Sequence, residues 1–87
     1  MRATIQQWQD FIQSAVWVDI KEMLLLERSA IRDGLELGPT EDFDGDLLLW
    51  EERGRGKAEA IRHMVDYPQY VVDNYETLNK EEEEENG

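Results

Sequence analysis

The sequence predicts an all-α fold: an antiparallel helical hairpin, residues 14–37 and 47–66, with a short helix at each end, 4–13 and 68–78. Three observations predict it. Apolar residues recur at intervals of three and four in every long segment, and no run alternates at the period of two that a strand requires. Gly-Pro at 38–39 and Tyr-Pro at 67–68 divide the chain at helix-length intervals. Residues that cap helix N-termini stand just before the periodic segments. One domain is expected over 1–79, followed by a disordered acidic tail at 80–87.

The first helix opens on Thr4-Ile5-Gln6-Gln7, the T-x-x-Q form of a capping box. Ile5, Trp8 and Ile12 then share a face, with Phe11 beside Trp8. Ser14 is expected to cap the long second helix, its hydroxyl accepting from an amide two or three residues on. A continuous helix through Ser14 is the alternative.

The second helix organises the chain. Trp17, Ile20, Leu24, Ile31 and Leu35 trace its main face. Val16, Met23 and Ala30, seven apart, lie on one side of that face, and Val18 and Leu25 on the other. Met23-Leu24-Leu25-Leu26 is apolar right round the turn, so cover is expected from more than one side. Asp19 and Glu22 sit early and Arg28 and Arg32 late, the order that suits the helix dipole. Gly38-Pro39 ends the element.

The loop that follows carries Glu41, Asp42, Asp44 and Asp46. Its start resembles a calcium loop, but Leu47 stands where that loop needs Gly and Arg53 where it needs a bidentate Glu. Asp44 or Asp46 is expected to cap the third helix instead. On that helix Leu47, Trp50, Gly54, Ala58, Ile61 and Val65 form one stripe. Gly54 interrupts it at a cost of about 1 kcal/mol relative to Ala. The apolar period continues in phase across it, so a close helix–helix approach is expected there; a break at 54–56 is the alternative. Tyr67-Pro68 is expected to stop the helix. Pro68 then opens a last short helix with Val71, Tyr75 and Leu78 on one face.

Charge and composition bound the function. Nine Lys and Arg face twenty-one Asp and Glu, a formal net charge of −12. DNA, RNA and anionic membranes repel such a chain unless its charges segregate. They do so in part: Arg53, Arg55, Lys57 and Arg62 cluster, and Glu81 to Glu85 is a block of five. Neither nucleic acid nor membrane is an expected partner. Without Cys there is no disulfide framework or thiolate metal site. No apolar run reaches a membrane span or a signal core, so a soluble cytoplasmic protein is expected.

Chemistry is not expected. His63 is the single His, no triad partner is legible beside it, and no P-loop, dinucleotide or zinc-protease motif occurs. Neither a cofactor nor a metal is expected. A chain this short buries only about 60–65% of its unfolded surface. Trp8, Trp17, Trp50, Phe11, Phe43 and the Leu run therefore exceed what it can cover alone. The expected interaction anchors are Trp17, Leu25, Leu26 and Trp50, with Arg55 and Arg62 as orienting charges.

Three stretches carry a resemblance: Trp8, Phe11, Ile12, Ser14, Trp17, Asp19 and Ile20; then Glu27, Ile31, Arg32, Leu35 and Glu36; then Arg53-Gly54, Gly56 to Arg62, Met64-Val65 and Tyr67-Pro68. Together they resemble a group of small helical proteins of tailed bacteriophages, encoded beside capsid and portal genes. Gly56 and the Glu tail depart from that pattern. The resemblance implies a non-enzymatic virion or assembly protein in the head or connector, made in the infected cell's cytoplasm. Its partners would be copies of itself or capsid, portal or connector proteins. No catalytic residue carries over. The alternative is an acidic nucleic-acid mimic that inhibits a host defence or nucleic-acid enzyme.

Overall fold

The computed structural model describes residues 1–86. It is all-α: α1 (Ile5–Gln13), α2 (Ala15–Leu37), α3 (Leu47–Asp73) and α4 (Tyr75–Asn86). The expected caps form. Thr4 Oγ1 accepts from the Gln7 amide at 3.1 Å while Gln7 Oε1 accepts from the Thr4 amide at 2.8 Å. Ser14 serves two helices at once. Its Oγ accepts from the Trp17 amide, and both its amide and its hydroxyl donate to the Phe11 carbonyl. The chain therefore breaks at Ser14, and α1 and α2 are separate helices. Asp46 caps α3, accepting from the Leu49 amide at 3.2 Å. Gly38 closes α2 with φ of 82°, a conformation that only Gly adopts freely.

The α2–α3 hairpin is the body of the molecule, and α1 folds back onto both helices at one end. There Phe11 lies 5.2 Å from Trp17 between ring centroids, and Trp8 meets both Phe11 and Tyr67 edge-on. These arrangements suit the ring quadrupoles. At the other end Phe43 of the loop leans on Trp50. Trp17, Ala58, Ile61, Pro68 and Val71 are buried.

One expectation is corrected. Pro68 does not end α3; it lies buried inside it, and the helix runs on to Asp73. Pro there removes one backbone hydrogen bond and costs about 3 kcal/mol. Burial of the ring and of Val71, the most buried side chain of the core at 0% exposure, offsets that cost. The helix stops instead at Asn74, whose amide and side-chain Nδ2 both donate to the Tyr70 carbonyl.

The described part of the acidic segment continues α4 as helix through Asn86, and Gly87 lies outside the described residues. The N-terminal segment fixes the start of α4. Tyr75 Oη donates to the Ala3 carbonyl at 2.8 Å, and the Met1 ammonium reaches Asn79 and Glu82. A helix with an anchored first turn extends cheaply, and Glu propagates it well.

The molecule is elongated, 53 × 33 × 16 Å. Its radius of gyration is 17.8 Å; a compact chain of this length has about 12 Å. Its accessible surface is 7170 Å², against about 5,300 Å² for a compact monomer of this mass. No helix among the described residues is long and apolar enough to cross a membrane.

Candidate interaction surface

The α2–α3 seam opens as two grooves with different linings. One groove is polar. Arg28, Arg32 and Glu36 of α2 face Arg55, Glu59, Arg62, His63 and Asp66 of α3 across it. The ion pairs here run along α3: Arg55 to Glu51 at 3.8 Å and Arg62 to Asp66 at 3.7 Å. Both join residues four apart at the surface, so each adds only a few tenths of a kcal/mol, about 0.3–0.5.

The second groove is more apolar. Ile31, Gly34 and Leu35 of α2 and Leu49, Trp50 and Gly54 of α3 form it, with Phe43 closing the loop end. Arg53 and Lys57 stand on its α3 wall. The basic cluster of the sequence is thus not one patch. Successive helix residues turn by about 100°, and that rotation sends Arg55 and Arg62 to one face and Arg53 and Lys57 to the other.

The six expected anchors do not converge. Trp17 is taken up by the chain's own core against Phe11 and is not free to anchor a partner. Trp50 is half-buried, one face spent on Phe43, its edge on the second groove. Leu25 and Leu26 are both exposed, Leu26 at 72%, but they point about 100° apart round α2. Arg55 and Arg62 do come together, on the polar groove.

The apolar residues left open lie chiefly elsewhere on α2. Val16, Met23 and Leu37 are 66%, 69% and 87% exposed. With Ala30 they repeat every seven residues, so they form one line along the helix. The sevenfold spacing of Val16, Met23 and Ala30 is visible in the sequence. It reads there as breadth of one buried face, because spacing alone does not say which stripe the third helix covers. The chain matches no family model, no curated protein and no solved structure.

Proposed function

We propose that this chain is a non-enzymatic assembly protein of a tailed bacteriophage, acting by protein–protein contact in the head or connector. The observation that carries the reading is the apolar surface left open on the longer helices. Val16, Met23, Leu26, Leu37 and Leu48 are each 66% or more exposed, and the whole surface exceeds that of a compact monomer by about 1,900 Å². Exposed apolar patches mark interaction sites. The resemblance of the helix-packing residues to small phage proteins supplies the setting. The reading asks no reaction of the chain, only that its faces be covered in an assembly.

Mass spectrometry of purified particles and of assembly intermediates tests this. The expected result is the protein in one of them, at a defined ratio to a capsid, portal or connector protein. A protein absent from both, which instead competes with DNA for a host nuclease or polymerase, would overturn it in favour of the acidic mimic.

A further inference from the structure

Within that reading, and resting on it, we propose that the partner covering the second groove is another copy of this chain, docked as a two-fold symmetric pair. In this pair α2 of each copy crosses α3 of the other.

Helix geometry defines the face. Ile20, Glu27 and Gly34 are seven apart on α2, and Trp50, Lys57 and Met64 are seven apart on α3. Gly34, Trp50 and Lys57 line the same groove, so the two lines run side by side on one face of the hairpin. Ile20 and Met64 are exposed on it.

Charge selects the occupant. A chain of net charge −12 resists its own copies. This face escapes that repulsion. The charged residues lining the groove are Asp46, Arg53 and Lys57, Glu27 lies one heptad from Gly34 on the α2 line, and the Asp46 carboxylate is engaged in capping α3. Among the described residues Glu27, Arg53 and Lys57 make no ion pair within the chain. A two-fold contact sets Glu27 of each α2 against Lys57 of the other α3, and symmetry makes the pair twice.

Gly34 marks where the second backbone comes. A Cβ built at Gly34 would meet nothing within 4 Å, whereas one at Gly54 would run into Leu35. Gly54 is explained by the chain's own packing; Gly34 and Gly56 are not, and of these two Gly34 is the one that lines this groove. Close approach of the second copy gives Gly34 a role.

Sedimentation velocity on the full chain, with circular dichroism of each variant, tests the pair. The wild type is expected to be a dimer at micromolar concentration. Lys57→Glu should weaken it by about tenfold or more, and Glu27→Lys added to it should restore association. Both side chains are exposed, so neither change should alter the melting of the monomer. Gly34→Ala should raise helicity yet weaken the dimer. A dimer indifferent to Lys57→Glu and Gly34→Ala would overturn this face. A monomer that still co-purifies with a capsid, portal or connector protein would overturn the pair and leave the proposed function standing. A monomer absent from particles and assembly intermediates would overturn both.

Discussion

Leu35 of α2 lies so close over Gly54 of α3 that a Cβ built at Gly54 would stand 2.6 Å from Leu35 Cδ2 and 3.1 Å from its Cγ. Both distances are below van der Waals contact. The hairpin is therefore closed at this point by a missing side chain, and the glycine's cost in helix propensity is offset by the approach it permits.

Gly54→Leu should destabilise the fold by about 1–3 kcal/mol through overpacking. Leu35→Ala made in the same chain should recover part of that loss, because it vacates the space the new side chain needs. Urea unfolding of the two single variants and the double variant measures the coupling. Additive losses would mean that the two residues do not meet.

Ser14→Ala should cost about 0.5–2 kcal/mol, at the upper end for a cap. Its hydroxyl accepts from the Trp17 amide and also donates to the Phe11 carbonyl. The same turn sets the angle at which Phe11 packs on Trp17. Thermal unfolding followed by tryptophan fluorescence reads both effects; a midpoint unchanged from wild type would show that the turn holds without the cap.

The termini separate a structural clasp from an exposed charge run. Deleting residues 81–87 removes the Met1–Glu82 pair but leaves Tyr75 on Ala3. Since Glu82 is largely exposed, the loss should stay below about 1 kcal/mol. Tyr75→Phe should cost about as much or more, roughly 0.5–1.5 kcal/mol, from one part-buried hydrogen bond. Calorimetry of the two variants checks the order. A truncation more damaging than Tyr75→Phe would show that the glutamates pack on something.

Most of the fold is legible in the sequence because its signals are local. Thr4, Ser14, Gly38 and Asp46 each act within four residues of themselves, and each lies where its cap is needed. The close approach at Gly54 is legible too, since its apolar stripe stays in phase. What escapes local reading is which stripe meets what. Trp17 has the same helical signature whether it anchors a partner or, as here, packs against Phe11. Arg53, Arg55, Lys57 and Arg62 are neighbours in sequence, yet the helix turn splits them between two grooves. The path of α3 past Pro68 escapes for a related reason: local propensity says stop, and burial of the next turn overrides it.

That override can be measured at Pro68. The proline withholds one backbone donor and its ring crowds the preceding turn, together costing about 3 kcal/mol in a helix interior. Its ring is also buried, as is Val71 one turn further on. Pro68→Ala restores the donor and the propensity but removes two buried methylenes, worth about 0.8 kcal/mol each. The backbone contribution is the larger, so Pro68→Ala should stabilise the fold by about 1 kcal/mol and raise the helical circular dichroism signal. Hydrogen exchange should show the new amide at position 68 protected along with those of the turns on either side. A clear loss of stability would mean that the ring's packing outweighs the hydrogen bond, with α3 bent there to accommodate it.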